Sequence, residues 1–487
     1  MRIGTVLYIL GWFLIFFSAT LFFPGLVSLI YHESVWPYIY AEAISLLCGV
    51  FLVAIIKPDK EIGYREGFAI VVLSWTAAGV FGALPFVFSG KLGFIDALFE
   101  SISGFTTTGS TVFGDLEDLP KGLHFWRAMT QWLGGMGIII LSLAILPLLG
   151  IGGMQLYQAE MPGVTKDKLA PRIQDTARIL WGVYIFFTIF EVLLLLPAGL
   201  NLYEALCHAF TTLATGGFST RTASVAAFDS AYVDYVITAF MFLAGVNFSL
   251  HYRFLKGELD AYFKNEEFRF YVLVGLVAIF ICVLFNHLSG TYHNPLLNLR
   301  YSVFQVWSIM TTTGYGTADF ALWHPVCQLL LLILMFFGGM AGSTGGGVKQ
   351  IRFLILFKFV RFQIRKLIHP RAVEIIRYDE HKVAESVIQG ILGFMALYAL
   401  VFMIASLLVC AQGIDIITAT SAVAATLNNI GPGLAKVGPT QNFGWLPDFS
   451  KLVLTFCMLA GRLELYTVVI LFSREYWRGA RKPLFRF

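Results

Sequence analysis

Long apolar runs broken by short semi-polar ones set the pattern of this chain. An α-helix needs about 20 predominantly apolar residues to cross a ~30 Å hydrocarbon layer. Ten stretches reach that length, at roughly residues 6–30, 35–56, 67–89, 128–151, 179–200, 233–251, 270–288, 321–340, 387–411 and 452–472. The first is too long for the apolar region of a signal peptide and has no small-residue cleavage site, so it is expected to stay as a span. The pattern therefore predicts an all-α polytopic membrane protein of ten transmembrane helices, both termini on the same side.

After the first two spans one plan recurs four times: a long apolar helix, a shorter semi-polar segment, and a second apolar helix. The short segments are residues 96–109, 204–217, 301–314 and 418–431, each ending in a glycine, and their glycines are 108, 97 and 117 residues apart. Such a period marks a repeated supersecondary unit. Fourteen residues are too few to span but enough for a half-membrane helix, so four re-entrant half-helices are expected. The predicted organisation is an N-terminal helix pair (1–60) followed by pore repeats at 61–165, 166–265, 266–380 and 381–487.

Non-helical backbone at membrane depth is tolerated only where protein buries it or where it lines a wet cavity. Four such strips in one chain argue for a shared central pore. A desolvated cation needs carbonyl oxygens in place of its water, presented by a backbone that glycine frees from Cβ clashes. The candidate potassium-binding residues are Thr107, Thr108 and Gly109; Thr215, Gly216 and Gly217; Thr312, Thr313 and Gly314; and Asn429, Ile430 and Gly431. The third strip, Thr-Thr-Thr-Gly-Tyr-Gly at 311–316, is nearest to the Thr-Val-Gly-Tyr-Gly filter of potassium channels. Each half-helix would also aim the negative end of its dipole at the cavity. The bland alternative is a set of glycine-rich turns between ordinary helices. Asp96 and Glu204, at the outer ends of two half-helices, read as helix caps in preference to ion ligands.

Composition agrees with the membrane reading: 57% of residues are hydrophobic and only 13% charged, too few polar groups to clothe a water-facing surface of 487 residues. Charge placement fixes orientation. With the N-terminus inside, all but eight of the 34 lysines and arginines fall on the inner side. The exceptions are Lys91, Lys121, Arg127, Arg221, Arg300, Lys436 and Lys451 outside and Arg462 within a span. Both termini are thus expected to be cytoplasmic. Cys48, Cys207, Cys282, Cys327, Cys410 and Cys457 are each isolated in an apolar segment and read as buried packing residues. The nine histidines lack metal-ligand spacing, so no catalytic metal is expected.

Two features bear on control of the pore. The eighth span holds six glycines within residues 338–347, at Gly338, Gly339, Gly342, Gly345, Gly346 and Gly347, together with Ser343, Thr344 and the nearby Lys349. At about 0.8–1 kcal/mol per glycine relative to alanine, a continuous helix should unwind there. A small-residue packing face is the alternative, and it is the preferred reading for Gly134, Gly135 and Gly137. Arg462 sits mid-span, where an arginine costs a few kcal/mol and normally faces a wet interior with a partner. Glu464, two residues on, points to another helix face and is a poor partner for it.

The segments 96–111, 131–137, 152–162, 216–220, 338–352 and 428–433 resemble the Trk/Ktr/HKT superfamily of potassium transporters nearly end to end, with the N-terminal helix pair of the TrkH/TrkG type. The resemblance implies potassium as the transported ion and no bound organic cofactor. It further implies a homodimer in the inner membrane with one pore per protomer, surrounded by lipid, without a nucleic-acid partner, and gated by a TrkA-like cytoplasmic nucleotide-binding subunit. It assigns residues 338–347 to a loop that obstructs the pore below the filter and places Arg462 beside it. It also ties all four strip glycines to potassium over sodium. No Gly-x-Gly-x-x-Gly follows a strand, so nucleotide control would have to come from the partner. The rival within transport is a K⁺/H⁺ or K⁺/Na⁺ symporter, which usually needs ionisable groups along the path; Glu42, Glu191 and Glu464 form no visible relay. An intramembrane enzyme would need a nucleophile–base or metal set that is absent from the sequence pattern. A purely structural membrane protein would not need four glycine-ended half-helices.

Overall fold

The polar and apolar residues are distributed inside out relative to a water-soluble protein. In the computed structural model, which describes residues 2–56, 63–144, 169–370 and 375–477, large apolar side chains such as Phe16, Leu47, Phe280 and Leu407 lie on the outside. Threonines and serines of the strips lie at the centre, most of them fully buried. Helices apolar on all sides with exposed outer faces are what a hydrocarbon solvent selects. The chain is a multi-pass, all-α membrane protein.

An N-terminal unit comes first. Ile3–Thr20 and Phe22–Ile30 form one apolar segment, interrupted at Leu21, that folds back on Trp36–Ile55. Gly11 and Gly49 let the two backbones meet, since a Cβ on Gly49 would lie 2.8 Å from the Gly11 carbonyl oxygen.

Four helix–half-helix–helix units follow. Their half-helices are Phe94–Phe105, Leu202–Leu213, Pro295–Met310 and Ile416–Leu427, hereafter half-helices 1 to 4. Each packs against the long helix before it: Tyr64–Phe88, Leu169–Leu195, Glu266–Leu288 and Glu385–Cys410. The returning helix of one unit also packs on the half-helix of another. Lys121–Ala144 meets half-helix 2, Ala231–Ala244 meets half-helix 3, and Asp448–Arg462 meets half-helix 1. The last contact joins the fourth unit to the first and closes the arrangement into a ring.

Among the described residues six helices are long and apolar enough to span, or up to eight if each bent pair counts as one span, where the pattern predicted ten. The returning helices account for the difference. Residues 233–251 break into Ala231–Ala244 and Phe248–Leu255 at a 102° bend, and residues 452–472 break after Arg462 at 112°. In the third unit only Pro325–Leu334 is helical before an irregular segment leads to Gln350–Ile368. In the first unit the helix runs to Ala144, and residues 145–151 of the expected span lie outside the described residues. So do residues 152–162, part of the family resemblance. Hydropathy sees an unbroken apolar run at 233–251, 321–340 and 452–472, and residues at these three breaks bond to one another across the ring.

Two local expectations need correcting. Asp96 is not a cap: the helix begins at Gly93 without a side-chain cap, and Asp96 pairs with Lys451 of the fourth unit. Glu204 is not the cap either. Asn201 caps half-helix 2 by accepting from the Glu204 amide, while the Glu204 carboxylate binds Arg221. Cys48 is exposed on the apolar outer surface and Cys410 is half-buried; the other four cysteines are buried.

Candidate functional site

Each half-helix ends in the same backbone figure, a Schellman motif in which the amide two residues past the C-cap bonds back across the last turn. In strip 1 the Thr107 and Thr108 amides donate to Gly104 O and Ser103 O at 2.9 and 2.8 Å. The equivalent amides of Thr215 and Gly216, Thr312 and Thr313, and Asn429 and Ile430 make the same pair of bonds. The left-handed position of this motif is normally glycine. Here it is Thr107, Thr215, Thr312 and Asn429, with φ of 52, 54, 63 and 56°. A β-branched residue in that region is strained and persists only where its surroundings dictate it. Two residues on, Gly109, Gly217, Gly314 and Gly431 are left-handed again, at 84, 75, 81 and 101°.

The four glycines abut one another's strips in chain order. A Cβ on Gly109 would lie 2.1 Å from Gly216 O, one on Gly217 would lie 2.0 Å from Thr313 O, and one on Gly314 would lie 1.7 Å from Ile430 O. A Cβ on Gly431 would lie 3.0 Å from Thr108 O. First to second, second to third, third to fourth, fourth to first: the backbone is a closed ring with a carbonyl of each neighbour at every glycine.

Side chains break this fourfold plan. Thr106 bonds Thr108 at 2.7 Å and Thr311 bonds Thr313 at 2.8 Å, while Ser103 and Ser308 each hold a carbonyl seven residues on at 2.6 Å. Strips 2 and 4 lack these pairs. At the joint of strips 4 and 1, Asn429 Nδ2 donates to Thr108 Oγ1 at 2.9 Å and Ser110 Oγ to Gly431 O at 2.9 Å. Tyr315 reaches from strip 3 into half-helix 2, where its hydroxyl meets Thr211 and the His208 carbonyl. Strips 1 and 2 are backed by a buried ion pair that the sequence pattern did not single out. Arg127 Nε meets Glu100 Oε1 at 2.8 Å, Arg127 Nη1 donates to Ser219 O, and Glu100 accepts from the Val112 amide. The only signal was a second acid, four residues after Asp96, in the middle of the half-helix.

The glycine-rich segment lies against the opposite ends of the strips. Thr215 Oγ1 donates to Thr344 O at 2.9 Å, the Gly346 amide donates to Thr312 Oγ1 at 2.6 Å, and a Cβ on Gly346 would lie 2.5 Å from Asn428 O. Three of the four left-handed positions thus touch residues 344–346 or sit one residue from that contact. The segment is unwound as expected but well anchored. The Gly338 amide bonds Val348 O, the Met340 amide bonds Gly245 O, Gly342 O accepts from Phe248, and Thr344 Oγ1 bonds Leu213 O and Ala244 O. Ser343 Oγ returns to Met340 O, Lys349 Nζ bonds Gly345 O, and Gln350 holds Gly338 O. Buried Glu267 accepts from the Ala341 and Ile351 amides at 2.8 and 3.0 Å, tying the segment and the start of the following helix to the Glu266–Leu288 helix. Gly339 packs face to face with Gly345 and Gly347 with Gly338.

Arg462 is the last helical residue before the 112° bend, buried, with Nη1 donating to Thr344 O at 2.8 Å. Its Nε and Nη2 meet no acceptor among the described residues. Glu464 does not neutralise it: Glu464 pairs with Arg352 at 2.6 Å, and the Arg352 guanidinium lies 4.0 Å from the Phe394 ring centroid. The helix has already ended between them, so the i+2 geometry never arises. Gly134 and Gly135 are packing positions, where added Cβ atoms would meet Phe105 O and the Ala214 Cα.

Chemically, the arrangement offers closely spaced backbone carbonyls in a buried ring of small polar residues, with a glycine-rich unwound segment and an incompletely paired guanidinium packed against it. Comparison with known proteins points the same way. Residues 42–479 match the family described as TrkH, cation transport protein. The Trk system potassium uptake protein TrkH of Salmonella typhimurium is 43% identical over 98% of this chain and 100% of its own length. The Trk system potassium uptake protein TrkG of Escherichia coli is 36% identical over 98% and 99%. The crystal structure of the potassium transporter TrkH from Vibrio parahaemolyticus superposes with a TM-score of 0.91 at 39% identity, over 98% of this chain and 100% of that one.

Proposed function

The chain belongs to the TrkH family of cation transport proteins, and from that premise we propose that it carries potassium across the inner membrane through one pore lined by its four strips. The observation that carries this reading is the closed ring in which every strip glycine abuts the next strip's carbonyl. A ring of that kind can replace the hydration shell of a cation, and its relatives are named as potassium uptake proteins. In this reading Thr107 to Gly109, Thr215 to Gly217, Thr312 to Gly314 and Asn429 to Gly431 form the filter. Residues 338–347 with Lys349 and Arg462 form the gate, the loop by occupying the path and Arg462 by its charge, which repels a cation most where little water screens it. A homodimer of such pores, both termini cytoplasmic, would be opened by a TrkA-like nucleotide-binding subunit on the inner face.

The test is rubidium-tracer uptake into liposomes holding the purified chain, with sodium and a proton gradient varied separately. Selective uptake driven by the potassium gradient alone is the expected result. Uptake that requires a proton or sodium gradient would replace the channel reading with symport, and none under any gradient would end the transport reading.

A further inference from the structure

Strip 2 lacks the side chains that brace strips 1 and 3. Where those strips carry the bonded pairs Thr106–Thr108 and Thr311–Thr313, strip 2 carries Ala214 and Gly216. Yet its Schellman motif and its left-handed Thr215 and Gly217 are the same. Something outside the strip supplies the missing support.

That support is Gln131, fully buried on the Lys121–Ala144 helix of the first unit. Its Nε2 donates to Gly216 O at 2.8 Å and its Oε1 accepts from the Phe218 amide at 3.1 Å. One acceptor and one donor on the backbone fix which way the amide points. A Cβ on Gly216 would lie 2.3 Å from Gln131 Cδ, so the glutamine fills the space a side chain at 216 would need. Gly216 is not among the left-handed glycines, so volume excludes a side chain there, not backbone strain. Gly216 O is also the oxygen nearest to a Cβ on Gly109, at the joint of strips 1 and 2. Of the four ring carbonyls, those of Thr108, Gly216, Thr313 and Ile430, only Gly216 O accepts from a side chain among the described residues.

We infer that Gln131 is a positioning residue for ion selectivity, standing in for the absent threonine of strip 2 by filling its volume and holding the Gly216 carbonyl. This rests on the reading of the strips as the filter. A side-chain donor on one of four ring oxygens fixes that oxygen's direction and draws off part of its charge, so the ring is pinned at one quarter. Without Gln131 the Gly216 carbonyl loses its side-chain donor, and the peptide that carries it is held only by the 3.4 Å bond from the Gly217 amide to Thr211 O. A ring with one loose oxygen adapts more readily to a smaller cation.

The experiment measures K⁺/Na⁺ permeability ratios, from reversal potentials, of the full chain in planar bilayers. Gln131→Met keeps the volume and removes both hydrogen bonds; it should lower the ratio about five-fold, the worth of one net hydrogen bond. Gln131→Ala should lower it further, and adding Gly216→Ser to Gln131→Ala should recover part of the loss, because the serine then occupies the vacated space. Gly109→Ser serves as a control on the filter reading. If Gly109→Ser changes the ratio while both Gln131 variants keep that of the parent, even with a lowered melting temperature, Gln131 is mere packing and the inference is overturned with the filter intact. If the double variant is no more selective than Gln131→Ala, the substitution of volume is refuted. If Gly109→Ser also leaves the ratio unchanged, the filter reading fails and takes this inference with it.

Discussion

A single methylene decides whether the ring closes. Gly109→Ser would put a Cβ 2.1 Å from Gly216 O, closer than any real contact, on a backbone at φ 84° that L side chains avoid. Strip 1 or strip 2 must then shift. The expected result is a lower K⁺/Na⁺ permeability ratio with the chain still folded, read by reversal potentials and by growth rescue at low potassium; an unchanged ratio would take Gly109 out of the filter. Behind the same joint, the Glu100–Arg127 pair is almost fully buried, with side-chain exposures of 0 and 1%. Removing one partner of such a pair strands the other's charge, at a cost of roughly 3–5 kcal/mol. Arg127→Ala should therefore lower the melting temperature in detergent sharply, and Glu100→Gln with Arg127→Met should lower it much less. Equal losses in the two would show that packing, not the stranded charge, sets the cost.

Among elements, the informative ones are the broken returning helices, whose breaks meet under the strips. Gly245 at the first break accepts from Met340 in the second, and Arg462 at the third donates to Thr344. Glycine content alone predicts an unwound segment that moves at little cost. The structure instead anchors residues 338–347 through Ala341 on Glu267, which also holds Ile351 just beyond, and through Thr344. If this segment is the gate, opening it must break these bonds together, so the chain alone should pass potassium slowly but measurably. Shortening the loop or replacing Arg462 by alanine should raise tracer flux into liposomes without any partner. Because both act on the Thr344 contact, the double change should give less than the product of the single effects. Folded, selective variants no faster than the parent would place the gate elsewhere.

At the scale of the molecule, charge and ring topology act together. Of the seven basic residues assigned to the outside, Arg127, Arg221, Arg300 and Lys451 each pair with an acid of the strips' surround. The Gln350–Ile368 helix carries Arg361, Arg365 and Lys366 at exposed positions of its C-terminal half. If a TrkA-like subunit docks there, reversing these three charges should abolish co-purification while liposome flux of the chain alone is kept; undiminished binding would move the interface. The sequence by itself determined what depends on neighbours along the chain. Span length fixed the solvent, and four glycines at a shared spacing disclosed the half-helices and the residues of the strips. Their Schellman ends are local too, since every bond lies within six residues. Only the tertiary structure decided what depends on residues far apart. It broke three returning segments that read as continuous, took Asp96 from cap to partner of Lys451, and gave Glu464 to Arg352. It also set Gln131 behind a strip 85 residues away. The physical reason is that hydropathy and propensity are sums over adjacent residues, whereas a ring closes only when carbonyls and glycines from four distant segments fit the same few ångströms.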